Sequence, residues 1–214
     1  MQARSLQSKA GFGHRLGDVS EVFAGIGISR EETKERSGEK LPVIGVRDLL
    51  DGDVAPLDRL DTVAFMGLRR AGTYSVRVDD VLVTGRGTTL KFGLVSEATA
   101  GAIASGNVIV VRPGPTAIGG ALFAILSSEV FRPKIEMLRR GATTLLSLSP
   151  KDFAKLEIDL PPLDEQRRIA ALVSDAQTAY RTAIEAAEIR RTLVRRLIDA
   201  RLFGHNQNTE RKNA

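Results

Sequence analysis

The apolar and polar positions follow their most regular pattern between Leu163 and Leu202, where about 40 residues pass without glycine or proline. Alanine, arginine, leucine and glutamate dominate this stretch, and all four favour a helix. Pro161 and Pro162 precede it and Gly204 follows it, as expected at the two ends of a helix. At about 1.5 Å per residue, the pattern predicts one helix roughly 60 Å long.

One face of this predicted helix is apolar at alternating steps of three and four residues, which is the spacing of a coiled-coil seam. Many of its side chains are small, so a second helix could approach closely. A helix folded onto its own domain is the simpler alternative, but so long a helix would extend beyond a small domain, and we favour a partner helix. Arg190 interrupts the seam. The seam residues are Ile169, Val173, Ala176, Tyr180, Ala183, Ala187, Val194 and Leu197.

The chain before this helix alternates short apolar segments with turns, which predicts an α+β domain without regular βαβ units. The predicted strands are 41–46, 74–78, 81–83, 90–95, 107–112, 143–148 and 156–160. The predicted helices are 15–22, 117–128 and one from Pro133 to Gly141, while 29–40 and 51–61 are predicted loops and Ser149 is expected to cap a turn.

These elements predict four parts of the chain. We expect a flexible N-terminus at 1–14, a β-rich domain at 15–160, the long helix within 161–203 and a flexible tail at 204–214. The fold class is therefore α+β, with a mixed β-rich domain followed by one long C-terminal helix of the coiled-coil type.

The residue inventory argues against an enzyme. Without cysteine, disulfides and thiolate metal sites are excluded. His14 and His205 are the only histidines, and both lie in segments expected to be mobile, so neither suits a Ser–His–acid arrangement or a histidine metal pair. No phosphate-binding glycine loop is present either. We expect a binding protein or scaffold without a cofactor or metal. Because no apolar run could span a bilayer and no signal peptide is evident, we expect it in the cytoplasm.

Charge narrows the class of partner. A net charge of +5 and a pI near 9.8 lean weakly towards an acidic partner. No block of the chain is strongly basic, so a DNA site would have to be local. Aromatic residues make up 5% of the chain and tryptophan is absent, which argues against a stacking platform for single strands. Duplex DNA remains as a candidate.

The turn at 84–89 has the residues that a duplex contact needs. Glycines let the backbone approach a groove, Arg86 can fork onto a guanine edge, and threonines can donate to phosphates. A hairpin connection with a solvated arginine explains the same residues equally well. Arg139 and Arg140 form a similar basic pair, for which a solvated helix end is the favoured interpretation. The DNA-binding candidates are Arg86, Thr88, Thr89, Lys91, Arg69, Arg70 and Arg47.

Several passages together resemble one known family. The most specific is Pro-Pro-Leu-Asp-Glu-Gln-Arg-Arg-Ile-Ala at 161–170, and Gly-Ala-Thr at 141–143 and the passage 148–153 come shortly before it. The passages 78–88 and 15–25 belong to the same resemblance, which covers roughly 15–202. These passages resemble the DNA specificity (S) subunits of type I restriction–modification systems. In that family, 161–170 is similar to the link between recognition domain and long helix, 78–88 to a hairpin that has glycine in place of Asp79, and 15–25 to the opening.

The resemblance implies a non-catalytic module that reads one half of a split DNA site, with the helix as spacer and as docking surface. It implies methyltransferase subunits, which bring S-adenosylmethionine, and a motor-nuclease subunit, which uses ATP, as partners. A full-length family member has two recognition domains and two long helices, whereas this chain has one of each. We therefore expect a homodimer of antiparallel helices on a bipartite palindromic site.

Other functions remain open at this point. The chain could be an orphan or truncated S-type chain that assembles with, or regulates, a separate S subunit. It could also be a coiled-coil scaffold with no role on DNA. An enzyme acting alone has the least support, because no catalytic set of residues is present.

Overall fold

The computed structural model of the protein describes residues 13–28, 39–50, 52–65, 71–142 and 145–203. Short strands and helices precede one long helix, so the predicted α+β class with a long C-terminal helix is confirmed. The chain divides into two compact units, Met1–Val173 and Ser174–Ala214. No helix in the described ranges is long and apolar enough to cross a membrane.

The strands are short, from two to six residues. In chain order they are β1 (Gly13–Arg15), β2 (Ser20–Ala24), β3 (Glu39–Ile44), β4 (Leu49–Leu50), β5 (Asp53–Val54), β6 (Asp61–Phe65), β7 (Val81–Thr84), β8 (Arg86–Gly87), β9 (Phe92–Leu94), β10 (Ile103–Ala104), β11 (Val108–Pro113), β12 (Arg140–Ala142), β13 (Leu145–Ser147) and β14 (Glu157–Asp159). The α-helices are α1 (Leu16–Val19), α2 (Gly119–Ser127), α3 (Phe131–Leu138), α4 (Pro150–Phe153) and α5 (Leu163–Phe203), and Val46–Asp48 and Leu57–Arg59 form 3-10 turns.

An antiparallel sheet of four strands, in the order β2–β11–β7–β9, is the centre of the first unit. Its strands β7 and β11 are nearly continuous apolar runs because both faces of the sheet are buried. Val83 and Ile109 face a core shared with α2, α3 and α4, while Leu82 and Val110 face a second core that includes Ile44. The sheet therefore carries a layer of packing on each side.

Smaller sheets surround this centre. The strands β10–β3–β6 form a mixed sheet, in which β10 and β3 are parallel, and β12–β13–β8 form an antiparallel sheet. Pairs β1–β14 and β4–β5 complete the set. His14 lies in β1 opposite Ile158, so the prediction that it belongs to a mobile segment is wrong.

Several predicted elements are confirmed in place and type. The strands at 81–83, 107–112 and 156–160 correspond to β7, β11 and β14, and the helix at 117–128 corresponds to α2. Ser149 caps α4, and its side chain accepts a hydrogen bond from the amide of Asp152 at 3.4 Å. Apolar runs and a capping residue depend only on neighbouring residues, so the sequence is enough to predict these elements.

Other predictions are wrong where tertiary pairing overrides the local pattern. The helix predicted at 15–22 ends at Val19, because the next residues extend as β2 and pair with β11. The loop predicted at 51–61 contains β5, and the strand predicted at 74–78 is absent apart from an isolated bridge at Ser75. The helix predicted from Pro133 begins at Phe131 and ends at Leu138, before β12.

The first turns of α5 are docked on the α+β unit. Gln166 is buried, and its side-chain oxygen accepts a hydrogen bond from the Ile118 amide at 2.9 Å. Its nitrogen donates to the carbonyl oxygens of Pro161 at 2.8 Å and Thr116 at 3.1 Å. Beside it, a Cβ added to Gly120 would lie 2.8 Å from the Cβ of Ala170, so only glycine lets α2 lie this close to α5.

Candidate nucleic-acid interface

The loop between β7 and β9 is closed at its base by two hydrogen bonds. The Thr84 amide donates to the Lys91 carbonyl at 3.0 Å, and the Lys91 amide donates to the Thr84 hydroxyl at 3.0 Å. At its start, the amides of Gly85 and Arg86 both donate to the Asn107 carbonyl, at 2.8 and 3.0 Å. The loop is therefore held by its backbone, which leaves its side chains free for other contacts.

Arg86 and Gly87 are not a simple hairpin turn but a short strand, β8, at the edge of the sheet β12–β13–β8. The side chain of Arg86 is exposed, and so are those of Thr88 and Thr89. Within the described ranges no hydrogen bond or ion pair engages the Arg86 guanidinium. A cation on a rigid backbone with free donors is suited to an anionic or hydrogen-bonding surface.

Two other cations near the loop are used to hold it. Lys91, one of the predicted contact residues, is half-buried and donates its Nζ to the Leu49 carbonyl at 3.2 Å. Arg132 donates to the Leu90 carbonyl at 3.0 Å, and its guanidinium lies 5.3 Å from the centre of the Phe92 ring. Together with Thr89 they line a cleft of about 550 Å³. These contacts indicate support of the loop more than direct contact with a ligand.

Arg47 is exposed, but its charge is paired. Its guanidinium bonds to Asp61 and lies 3.5 Å from Asp48. Arg69 and Arg70, the remaining predicted contact residues, lie outside the described residues. The structure therefore brings Arg86, Thr88, Thr89 and Lys91 together and leaves Arg47 on a different surface turn.

The basic pair Arg139–Arg140 is split between the inside and the outside of the fold. Arg139 has 1% of its side chain exposed, ion-pairs with Glu136 at 2.8 Å and donates to the Gly87 carbonyl at 2.5 Å. The interpretation as a solvated helix end is therefore wrong for this residue. Its Nε is buried without a partner in the described chain. Arg140 is exposed on β12. Sequence reasoning missed the role of Arg139, which only its burial reveals.

The turn before β7 keeps a shape that usually requires glycine. Asp79 has φ 70°, in the left-handed region that aspartate tolerates better than most residues. Partial burial, and then the charge of Asp80, raise the pKa of Asp79. Asp80 is buried and accepts hydrogen bonds from Arg112 at 2.8 and 3.0 Å, and this bonding raises the pKa of Arg112. Asp79 thus adopts the left-handed conformation at the position where the family resemblance leads us to expect glycine.

The apolar face of α5 is exposed beyond its docked turns. Ile169 and Val173 are half-buried, and every later seam residue is exposed. Large apolar side chains beside the seam are exposed as well, which broadens the face beyond a narrow coiled-coil stripe. The exposed fractions include Tyr180 53%, Ile184 47%, Leu193 52%, Val194 49%, Leu197 70% and Ile198 51%.

The described ranges contain no cluster of three or more histidine, aspartate or glutamate side chains that could hold a metal ion. The arrangement is one of exposed donors on a braced loop, together with an exposed apolar helix face.

Comparison with known proteins agrees with this arrangement. The family model described as "Type I restriction modification DNA specificity domain" matches residues 14–192. No curated protein sequence matches the chain.

Three solved structures show the same fold at low identity. A chain from a study of complex assembly and conformational transition of the type I R-M system is 21% identical, with a TM-score of 0.59 over 92% of this chain and 46% of that one. The HsdS subunit from Thermoanaerobacter tengcongensis is 19% identical, with a TM-score of 0.54 over 86% of this chain and 42% of that one. The type I restriction-modification S subunit from M. genitalium is 15% identical, with a TM-score of 0.57 over 89% of this chain and 45% of that one. The chain spans less than half the length of each.

Proposed function

Because the chain belongs to the family of type I restriction modification DNA specificity domains, we propose that it recognises a specific sequence in double-stranded DNA. This proposal rests on the exposed guanidinium of Arg86, which no other residue of the described ranges engages, on a backbone held by several hydrogen bonds. An arginine in this setting can bond in bidentate fashion to the O6 and N7 atoms of guanine. Thr88 and Thr89 would contact phosphate or a thymine methyl group beside it.

The chain itself performs no covalent step in this proposal. Methyl transfer would belong to methyltransferase subunits that dock on α5, and DNA translocation and cleavage to a motor-nuclease subunit. The breadth of the exposed apolar face supports docking, since one partner helix would cover only part of it. We propose the cytoplasm as the location of the chain, where such a complex would meet DNA.

A second copy of the chain is the proposed occupant of the seam on α5. Ala176, Ala183 and Ala187 let two backbones approach closely. Two antiparallel copies would form an isologous dimer, and its twofold axis requires a DNA site of two inverted half-sites separated by a spacer.

The antiparallel arrangement also offers a partner for Arg190. If the twofold axis passes beside Glu185, Tyr180 and Arg190 are each five residues from it and therefore lie opposite one another across the interface. A guanidinium over a tyrosine ring is a favourable contact. The same register sets Val173 against Leu197 and Ala183 against Ala187. Arg190, which interrupts the apolar seam of one helix, would then contact Tyr180 of the other helix.

A salt-dependent gel shift tests the DNA proposal. The probe is a duplex carrying the motif enriched by the protein from a randomised duplex pool, with a random duplex of equal length as competitor. Arg86→Ala should weaken binding to the enriched duplex by about 1–3 kcal/mol and leave the random duplex nearly unaffected. Lys40→Ala, which removes an exposed cation from the β10–β3–β6 sheet, is the control and should change little. No enrichment from the pool, or equal loss on both duplexes, would refute the base-reading role.

Single-cysteine variants test the dimer cleanly because the natural chain has no cysteine. A short bifunctional maleimide should join Ala183→Cys chains, which lie near the proposed axis, and should not join Ala176→Cys chains. Efficient joining at both positions would indicate parallel helices. A monomeric mass by light scattering, with and without DNA, would exclude the homodimer. Pull-down of a different S-type chain by this one would favour the orphan-partner function.

A further inference from the structure

Arg86 belongs to a row of three residues that crosses the sheet β12–β13–β8. Arg86 on β8 pairs with Ser147 on β13, and Ser147 pairs with Arg140 on β12. Residues directly opposite one another in an antiparallel sheet project from the same face. All three of these side chains are exposed. The two arginines are therefore neighbours on one surface, although 54 residues separate them in sequence.

The spacing of this row suits a nucleic-acid backbone next to a groove. Neighbouring strands lie about 4.8 Å apart, so the backbones at Arg86 and Arg140 are roughly 10 Å apart. That distance is close to the width of the B-DNA major groove, about 12 Å. One arginine can thus enter the groove while the other stays at its rim.

The surroundings of Arg140 differ from those of Arg86. Arg140 lines a cleft of about 410 Å³, together with Lys134, Lys155, Asp152 and Glu157. Lys155 bonds to Asp152 at 3.1 Å, and the pKa of Asp152 is lowered first by this bond and also by the positive charges of Arg140 and Lys151. Three cations and two carboxylates line the cleft, and Lys155 is paired with Asp152, so Arg140 lies in surroundings that are positive by one charge.

We propose that Arg140, with the hydroxyl of Ser147, binds a DNA phosphate at the rim of the groove that Arg86 reads. This inference rests on the proposed recognition of DNA by the chain. The positive charge of Arg140 suits the negative charge of a phosphate backbone. A serine hydroxyl donates readily to a phosphate oxygen, and such contacts set register without carrying sequence information.

The experiment measures the dependence of binding on salt for the full-length chain, with the enriched duplex and a random duplex as probes. Arg140→Ala should reduce the slope of log K against log salt concentration by about one. It should weaken binding to both duplexes by the same factor. Arg140→Lys should retain the slope, because a phosphate contact needs only the charge. Lys40→Ala, which removes an exposed cation from the other three-stranded sheet, should leave the slope unchanged.

The outcomes separate this inference from the proposal on which it rests. If the unaltered chain enriches no motif, the recognition function fails. If it enriches a motif and Arg140→Ala leaves the slope unchanged, only the phosphate role of Arg140 fails. If Arg140→Ala weakens the enriched duplex alone and Arg140→Lys does not restore it, Arg140 reads a base, which also overturns the phosphate assignment. A circular dichroism melt of each variant confirms that it is folded.

Discussion

Arg139 donates a hydrogen bond from its Nη2 to the carbonyl oxygen of Gly87 at 2.5 Å, and so connects the end of α3 to β8. The same guanidinium ion-pairs with Glu136 at 2.8 Å. The buried member of the Arg139–Arg140 pair thereby supports the strand that presents Arg86, while the exposed member lies on the face of that sheet.

Arg139→Met should lower the free energy of unfolding by about 1–3 kcal/mol, because the half-buried Gly87 carbonyl loses its donor and Glu136 loses its ion-pair partner. Urea denaturation measures this change. Arg140→Met removes the neighbouring exposed arginine and should stay within about 0.5 kcal/mol of the unaltered chain. Equal effects of the two substitutions would show that Arg139 does not hold β8.

Gln166→Leu should detach the base of α5 from the α+β unit. The substitution keeps the side-chain bulk but removes three hydrogen bonds, to Ile118, Thr116 and Pro161. We expect a loss of roughly 2–4 kcal/mol in the free energy of unfolding, measured by urea denaturation. Arg167→Leu, at the adjacent exposed position, is the control and should have little effect. A neutral result for Gln166→Leu would mean that the helix is held by apolar packing alone.

Gly120→Ala should force α2 and α5 apart, since the added Cβ would lie 2.8 Å from the Cβ of Ala170. Overpacking of this kind costs about 1–3 kcal/mol. Removal of the opposing methyl group in the double variant Gly120→Ala, Ala170→Gly should recover part of that loss. Gly27→Ala is the matched control, because nothing lies within 4 Å of its added Cβ. Strictly additive effects in thermal unfolding would contradict contact between the two positions.

Asp79→Asn should stabilise the protein at neutral pH. Folding raises the pKa of Asp79 above its ordinary 3.8, through partial burial first and then the charge of Asp80. The folded state therefore holds this proton more tightly, and stability falls as the pH rises from 3.8 through the folded-state pKa. Asparagine carries no charge and also tolerates a positive φ.

Urea denaturation at several pH values tests whether the free energy of unfolding falls as the pH rises through the pKa of Asp79. The advantage of Asp79→Asn should be absent at low pH and grow to a plateau above the folded-state pKa. Asp152→Asn is the opposite case, because the bond from Lys155 lowers the pKa of Asp152. That variant should be the less stable one near neutral pH, and its deficit should disappear as the pH falls. An advantage of Asp79→Asn that is constant with pH would point to backbone conformation alone.

The sequence predicted what local patterns can encode. The apolar runs of β7 and β11, the cap at Ser149 and the long helix from Leu163 follow from periodicity and from residue preferences over a few neighbours. The failures have a shared cause. Strands β2 and β6 pair with partners distant in sequence, so nothing within their own residues marks them as extended.

The residues of the candidate site also fall into two groups, those that the sequence predicted and those whose roles only the structure revealed. Arg86, Thr88 and Thr89 were predicted from composition and spacing, and the structure brings them together on one loop. The partner of each arginine could not be predicted, because Arg139, Arg132 and Arg140 are alike as residue types. In the structure Arg139 is buried, Arg132 donates to the Leu90 carbonyl, and Arg140 is exposed on β12. Gln166 was visible only as one letter in a family motif, without a stated role.

The sequence by itself determined that this chain is an α+β domain with a long helix, because local preferences accumulate over many residues. Its motifs, such as the one at 161–170, carried the resemblance to the specificity subunits. The tertiary structure alone decided that Arg139 is a buried support, that Arg86 and Arg140 share a surface, and that Gln166 anchors α5. Each of those roles depends on which groups exclude water and meet across strands, and chain positions tens of residues apart carry no local record of that meeting.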